Sequence, residues 1–218
     1  MLYLLCISVS FAIQSVTWAA APCCFPQKFE GSFSILEIKY GDAPGQIYVS
    51  EGKFNRSVDY VGKKDAISYL YSSHDGISSP PFFMLFDYQN GIVYVVQDNK
   101  CEKHTLTGPM PSNCLPDGAI QIIKDHLGAD NEILPVNRYV YKQPSRNITD
   151  TVFVTEQNCY PVLYTQTMFD GRTVEQMLIS GMSLGIKNPD IFNVPDVCKN
   201  AVPHGKEFRM RRLFYWFQ

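Results

Sequence analysis

The segment FFMLFDYQNGIVYVV, residues Phe82–Val96, decides the fold class of this chain. Two apolar runs, Phe82–Tyr88 and Ile92–Val96, flank the tripeptide Gln89-Asn90-Gly91. Asn-Gly between two apolar runs is the strongest short-range signal for a β-hairpin, because both central residues of the tight turn need positive φ. The segment therefore predicts two neighbouring antiparallel strands.

The same alternation of apolar and polar residues continues on both sides of this hairpin. Near the start of the chain, Phe29, Gly31, Phe33 and Ile35 alternate with polar neighbours, which predicts a strand with one buried face. Asp170-Gly171 predicts a second hairpin between strands at Val162–Phe169 and Val174–Ile179. Further strands are predicted at Gln46–Glu51, Lys53–Val61, Val136–Tyr141 and Val152–Thr155.

One segment has helical spacing instead. Asp117 is a candidate N-cap and Gly128 a candidate C-terminal residue. A second short helix or turn is predicted near Asn188–Phe192. The chain is therefore predicted to be mainly β with one or two helices. Between Asp117 and Gly128 the apolar residues recur at i, i+3 and i+7, as Ile120, Ile123 and Leu127.

The first 21 residues predict a secretory signal peptide. Leu2–Trp18 is almost entirely apolar, no charge occurs before Lys28, and Ala19–Ala21 supplies the small residues that signal peptidase accepts. The apolar core is too short for a comfortable membrane span, and an N-terminal anchor helix is the alternative. Cleavage leaves about 197 of the 218 residues, and no later stretch is long and apolar enough to cross a bilayer.

The cysteines and the glycosylation motifs agree with export. One of the seven cysteines leaves with the signal peptide, and an even number in an oxidising compartment predicts disulfide bonds. Asn55-Arg56-Ser57 and Asn147-Ile148-Thr149 are candidate N-glycosylation sites. The six remaining cysteines are Cys23, Cys24, Cys101, Cys114, Cys159 and Cys198.

Charge is distributed unevenly along the chain. The tail, residues 199–218, carries five basic residues and one acidic residue, a net of +4 that leaves −6 on the remainder of a chain of total −2. Its basic and aromatic side chains fit either an anionic membrane or acidic partner, or an arm packed onto the domain. The balanced total gives no reason to predict nucleic-acid binding.

One segment of the sequence matches a catalytic motif. Gly181–Gly185 matches the nucleophile-elbow pattern G-x-S-x-G around Ser183. That elbow needs a helix directly after the serine, and Pro189 would interrupt it. The alternating β/α pattern of the hydrolase fold is also missing, so we expect no enzyme. The remaining triad candidates are Asp190, Asp196 and His204.

Four segments, in order, resemble the ependymin-related proteins over residues 22–198. The doubled Cys23-Cys24, where that family has one cysteine, and Asn188-Pro189, where it has Asp-Pro, are departures. The tail lies outside the shared pattern. The segments are Pro22–Pro26 with Phe29–Gly31, Phe86–Leu106 with Asp87-Tyr88 and Cys101–Lys103, Thr151–Val162, and Pro189–Phe192 followed by Pro195–Cys198.

The resemblance implies two antiparallel sheets stacked as an open half-barrel with a deep apolar pocket. It further implies the disulfides Cys24–Cys159, Cys101–Cys198 and Cys23–Cys114, in which Cys23 and Cys24 can exchange. A homodimer, contact with extracellular matrix or cell surfaces, and calcium binding are also family expectations. No cofactor is required, and His74, His104 and His126 lack zinc spacing. Carboxylates available for calcium, without a defined ligand set, are Asp87, Asp98, Asp125 and Asp130.

The implied pocket would bury an acyl chain, at about 0.8 kcal/mol per methylene. Composition alone does not separate such a pocket from a solid core, and the resemblance favours the pocket. The chain is thus interpreted as a secreted glycoprotein, extracellular or lysosomal, that binds a lipid or other amphiphile without catalysis. A structural or adhesive matrix protein without ligand is the alternative. The candidate lining residues are Phe33, Ile35, Ile47, Val49, Phe83, Leu85, Val93, Val95, Val152, Val154, Leu163 and Phe169.

Overall fold

The computed structural model describes residues 23–74, 77–143, 147–168 and 171–207. The predicted signal peptide and residues 208–218 of the tail lie outside the described residues. Strands and short 3-10 helices make up the regular structure of the described part. The strands are β1 (Lys28–Tyr40), β2 (Ile47–Asp59), β3 (Lys64–His74), β4 (Ile77–Ser79), β5 (Phe82–Asp87), β6 (Ile92–Gln97), β7 (Lys100–Thr105), β8 (Ile120–Ala129), β9 (Glu132–Gln143), β10 (Ile148–Thr155), β11 (Pro161–Met168), β12 (Thr173–Leu184) and β13 (Pro203–Glu207), and the 3-10 helices are Pro189–Phe192 and Asp196–Cys198.

All thirteen strands belong to one continuous sheet. Its order is β13-β7-β6-β5-β3-β2-β1-β12-β11-β10-β9-β8, with β4 paired to β3. Neighbouring strands are antiparallel except β13, which runs parallel to β7. Within the described residues, β8 and β13 are the two edges and do not pair with each other, so the sheet is open. The predicted mainly β fold class is confirmed.

The sheet curves so that one face packs against itself. Met84 on β5 and Val93 on β6 belong to the same core cluster as Val152 on β10 and are as fully buried as Val152, although five strands separate β5 from β10 in the sheet. Because side chains on strands this far apart in an open sheet are all shielded from solvent on one face, we infer that the two halves of the sheet cover each other. The two layers of the predicted half-barrel are therefore halves of one sheet, and their shared interior is called the concave face below.

The predicted hairpin between Phe82 and Val96 forms, with a longer turn than predicted. Asp87 pairs with Ile92, which leaves the four-residue turn Tyr88–Gly91. Gly91 has a φ of 65°, whereas Asn90 is absent from the residues with positive φ. The Asp87 carboxylate accepts hydrogen bonds from the Asn90 backbone amide at 3.0 Å and from its side-chain amide at 2.8 Å. Asp170 of the second predicted hairpin lies outside the described residues.

The predicted helix after Asp117 is wrong, because Ile120–Ala129 forms the edge strand β8. Its register on β9 shifts between Gln121 and Ile123. One extra residue at this bulge puts Ile120 and Ile123 on the same face of a strand, where an unbroken strand would separate them. The spacing that imitates a helix is thus the spacing of a bulged strand. The short segment near Asn188 does form a 3-10 helix, capped by the Asn188 side chain.

The convex face of β3, β5 and β6 is covered by the chain that follows β12. Phe192 and Cys198 of this strap, residues 185–198, pack with Ala66, Leu85 and Tyr94 in a second core cluster. The disulfide Cys101–Cys198 joins the strap to β7. These strands are therefore buried on both faces, unlike β8.

Two further disulfides lie at one end of the curved sheet. The structure pairs Cys23 with Cys159 and Cys24 with Cys114. The family resemblance implied Cys24–Cys159 with Cys23–Cys114, or the same pairs with Cys23 and Cys24 exchanged. The structure has the exchanged pairs. Leu115 donates its backbone amide to Cys23 at 2.9 Å, which holds the two linked segments side by side. This closed end lies beside the Tyr88–Gly91 turn; the opposite, open end lies beside the loop joining β1 to β2.

Replacing Cys101 and Cys198 together by serine should release the strap from the sheet. Closing a loop of 97 residues predicts a loss of about 4 kcal/mol in the free energy of unfolding. Hydrogen exchange should rise in residues 186–198 and in β7 while β9–β11 stay protected. Uniform loss of protection across the sheet would contradict this separation of the two cores.

Candidate ligand site on the concave face

Four aromatic rings stack across neighbouring strands on the concave face. Phe33 and Phe54 have ring centroids 5.2 Å apart, and Phe54 and Tyr69 are 5.0 Å apart. The series ends at Phe82, whose ring lies 4.3 Å from that of Tyr69. Because these residues sit opposite one another in the register of β1, β2, β3 and β5, strand pairing itself builds the stack. This aromatic ladder forms the apolar floor of the face.

A row of polar residues crosses the same face nearer the open end. Each member sits opposite the next in the strand register, from β3 through β2, β1, β12, β11 and β10 to β9. Side chains in directly paired positions lie on the same face of the sheet. The concave face therefore changes from apolar to polar along its length. The members of this polar row are His74, Ser50, Glu37, Glu175, Gln166, Asp150 and Tyr141.

Asp150 is fully buried within the polar row and is held by three donors. The Tyr164 hydroxyl donates to it at 2.5 Å, the Gln166 side-chain amide donates at 3.0 Å, and the Gln143 amide also donates. Burial first, and then nearby Tyr141 and Asp150, raise the pKa of Tyr164 well above its ordinary value. A buried carboxylate with several donors can keep its charge, so this part of the row is a rigid polar wall.

A buried ion pair lies near the closed end. The Arg56 guanidinium donates to Asp65 through Nε at 3.0 Å and through Nη2 at 2.6 Å. Burial disfavours the guanidinium charge, but the attraction and hydrogen bonds of Asp65 outweigh it and raise the pKa of Arg56. The apolar floor is thus bounded by charge at both ends.

At the open end a solvent-accessible cleft of about 550 Å³ adjoins the polar row. The Ser50 hydroxyl and His74 Nδ1 are hydrogen-bonded at 2.5 Å on its inner wall. Arg172 pairs with Asp42 and so joins the β11–β12 turn to the β1–β2 loop. This open-end cleft is lined by Glu37, Lys39, Tyr40, Gly41, Asp42, Gln46, Tyr48, Ser50, His74, Arg172 and Thr173.

A second cleft, of about 400 Å³, lies at the closed end. Tyr60, Lys63, Tyr88 and the loop Pro109–Asn113 line it. Burial, chiefly, raises the pKa of Tyr60 to about 12; Asp65 also raises it, while Arg56 lowers it. The disulfide-linked loop closes this cleft against the core, where Met110 packs.

The predicted pocket residues do not all lie on the concave face. Phe33, Ile35, Val93, Val95, Val152 and Val154 face the concave core, and Phe33, Val93, Val152 and Val154 have no exposed surface, so in this conformation they pack against one another and do not border open space. Phe83 and Leu85 were expected there but pack on the convex face beneath the strap.

The remaining pocket candidates also need correction. Ile47 and Val49 are 54% and 41% exposed, because the concave positions of β2 are the alternate residues Ser50, Gly52 and Phe54. Leu163 alternates with buried Tyr164 and lies on the convex face, opposite Leu178. Phe169 lies outside the described residues. The polar row was not predicted from the sequence, because it can be recognised only once the register of seven strands is known.

The other candidate residues form no reactive group in the described part of the chain. Ser183 lies inside strand β12, followed by Leu184 and a loop, so the strand-to-helix elbow is not formed there. Among the described residues no three His, Cys, Asp or Glu side chains gather as a metal site. Of the carboxylates considered for calcium, Asp87 accepts hydrogen bonds from Asn90, and Asp98, Asp125 and Asp130 are exposed.

The chain is therefore a β domain built on one curved, open sheet. Two disulfides hold one end of its concave face, and the polar row crosses the other end. The family model for ependymin matches residues 78–198, and the chain belongs to the ependymin family. The fourth of the family-like segments, with the strap and Cys198, closes the matched region.

Two curated relatives are similar along most of their length. Mammalian ependymin-related protein 1 of Rattus norvegicus is 24% identical over 193 residues, covering 84% of this chain and 78% of that protein. The protein of the same name from Mus musculus is 24% identical over 188 residues, with the same shares.

Two solved structures show weaker likeness. An uncharacterized conserved protein from Thermus thermophilus has a TM-score of 0.49 at 8% identity, covering 80% of this chain and 91% of that one. A LolA superfamily protein from Nitrosomonas europaea has a TM-score of 0.35 at 12% identity, covering 79% and 93%. Both scores lie below 0.5, so these similarities carry no functional weight.

Replacing Tyr164 by phenylalanine should weaken the polar row. The change removes one of the donors to the buried Asp150 carboxylate, which should lower the free energy of unfolding by about 1.5–3 kcal/mol. Tyr71→Phe on an exposed part of β3 is the matched control and should change it little. Equal, small effects in urea unfolding would show that Asp150 does not depend on Tyr164.

Tyr60 should make stability depend on alkaline pH. Its folded pKa is raised from 10.0 to about 12, so its contribution is complete below pH 10 and is lost as the pH rises towards 12. Tyr60→Phe should flatten that part of the decline in unfolding free energy. An unchanged slope in the variant would assign the decline to other groups.

Proposed function

We propose that this chain is a secreted binding protein that holds the hydrocarbon part of an amphiphile against the concave face, near the open end. One observation carries the proposal: the concave face passes from the aromatic ladder to the polar row and then to a solvent-accessible cleft. An amphiphile has the same sequence of apolar and polar parts. The apolar pocket that the family resemblance implies agrees with this assignment.

The two ends of the sheet differ in how firmly they are held. Two disulfides fix the closed end, whereas the surface ion pair Asp42–Arg172 joins the loops at the open end. Disulfides restrict a chain far more than an exposed ion pair, which contributes about 0–1 kcal/mol. Separation of the two halves of the sheet, needed to admit a hydrocarbon chain to a packed interior, is therefore easier at the open end.

Ile35 lies where such a chain would enter. It is buried on β1, between Phe33 of the aromatic ladder and Glu37 of the polar row. Its Cγ2 atom fills the space over Gly52, where an added Cβ would approach to 3.3 Å. A hydrocarbon chain at the open end would therefore meet Ile35 first.

Export and surface contacts complete the proposal. Three disulfides fit an oxidising compartment, extracellular or lysosomal, and both glycosylation candidates, Asn55 and Asn147, are exposed. In the described residues no helix is long and apolar enough to span a membrane. Leu178, 51% exposed on the convex face beside Leu163, supports a homodimer or matrix contact there. Calcium binding and cell-matrix adhesion are proposed from the family resemblance.

The direct test is extraction of the secreted protein followed by mass spectrometry for bound amphiphile. The delipidated protein should then take up a fluorescent fatty acid in a saturable manner. Absence of both an extracted amphiphile and fatty-acid uptake would reject the binding function and favour the structural or adhesive alternative.

Ile35→Thr should weaken binding of the fluorescent fatty acid about five-fold. The substitution puts a hydroxyl on the apolar floor, at a cost of about 1 kcal/mol to a hydrocarbon chain lying there. Leu178→Thr makes a comparable change on the convex face and should leave the affinity unchanged. If Leu178→Thr weakens binding and Ile35→Thr does not, the site lies on the other face; circular dichroism checks that both variants are folded.

A further inference from the structure

The charged groups of the open-end cleft follow a fixed order along the strands. Glu37 and Ser50, opposite each other in the register, form the row next to the apolar floor. Lys39, opposite Tyr48 and Thr173, forms the next row outward. The Asp42–Arg172 ion pair closes the rim beyond them. From the apolar floor outward, the cleft therefore presents first a carboxylate and then an ammonium group.

The inner row is strongly suited to a cation. Glu37 sits directly opposite Glu175, which is only 2% exposed. Like charges in directly paired positions of antiparallel strands repel each other. A positive group lying over Glu37 would offset that repulsion, and a protonated amine there would also donate a charge-assisted hydrogen bond to the carboxylate.

The outer row is suited to an anion. The exposed Lys39 ammonium lies between the Tyr48 and Thr173 positions, which both line the cleft and carry hydroxyl groups. The Tyr48 hydroxyl accepts from the Gln46 side-chain amide and keeps its own hydrogen, so Tyr48 and Lys39 can both donate to one anionic oxygen group, whereas Thr173 is buried. The imidazole of His74, which also lines the cleft, is hydrogen-bonded to Ser50 on the inner wall.

We propose that the open-end cleft binds a zwitterionic head group whose ammonium group, protonated or quaternary, is next to the hydrocarbon chain and whose acidic group lies beyond it. The ammonium group lies at Glu37 and the acidic group at Lys39. In glycerophospholipid-like head groups the phosphate is next to the hydrocarbon chain and the amine lies beyond it. Their phosphate would therefore lie at the Glu37 carboxylate, which repels it. The inference rests on the proposed function, since the hydrocarbon chain must lie on the apolar floor.

Two single-chain amphiphiles with equal chain length and zero net charge test the order. Dodecyl-N,N-dimethylglycine carries its ammonium next to the chain and its carboxylate outside, and dodecylphosphocholine has the reverse order. Both are titrated below their micelle concentrations by displacement of the fluorescent fatty acid from the delipidated full chain. We expect the glycine derivative to bind about two- to five-fold more tightly.

Variants assign that preference to the two charges. Glu37→Gln should remove the preference, and Lys39→Gln should reduce the affinity for dodecyl-N,N-dimethylglycine to that of dodecyltrimethylammonium, which lacks an acidic group. Glu156→Gln and Lys124→Gln are the matched controls, because these two residues pair with each other on the exterior, away from the cleft. Both controls should keep the preference of the unmodified protein.

The outcomes separate the two proposals. Binding of neither amphiphile, with no fatty-acid uptake, rejects the proposed function itself. Saturable binding of both with equal affinity, or tighter binding of dodecylphosphocholine, leaves amphiphile binding intact and overturns the charge order. A preference that survives Glu37→Gln also overturns it, because the selective group must then lie elsewhere.

Discussion

The structure depends on the burial of one face of a single sheet against itself. An antiparallel sheet with one apolar face must cover that face, and here the cover is its own other half. The aromatic ladder Phe33, Phe54, Tyr69 and Phe82 supplies large apolar area in consecutive register positions, and it belongs to the same core as residues such as Val152. Curvature, core and candidate site all follow from this one packing arrangement.

The two ends of that interior differ in what bounds them. At the closed end, Cys23–Cys159 and Cys24–Cys114 hold the chain over the core, beside the buried pair Arg56–Asp65. At the open end, the polar row stops the apolar floor before it reaches solvent. A binding site with one fixed end and one less restrained end can admit a ligand without loss of the fold.

Much of the fold could be predicted from local patterns. The Asn-Gly hairpin, the alternation in β1 and the strands at β9–β12 were recognisable because each depends on neighbouring residues. The helix prediction failed at Ile120–Ala129 because a bulge next to Gln121 gives a strand helical spacing. Phe83 and Leu85 were placed on the wrong face because the strap buries β5 on both sides, which erases its alternation.

The site was harder to predict, for a physical reason. Apolar residues were assumed to point inward, so Ile47 and Val49 were chosen over their neighbours, whereas Ser50 is the residue that faces the cleft. The polar row joins residues as distant as Ser50 and Asp150 through strand pairing, and no local pattern contains that information.

Hydrogen exchange of the delipidated protein, with and without a saturating fatty acid, tests the central claim most directly. The account predicts new protection at the open ends of β1, β2 and β12, around Glu37, Ser50 and Glu175, with little change at the disulfide-closed end. Protection confined to the convex face around Leu178, or to the closed-end cleft, would contradict it.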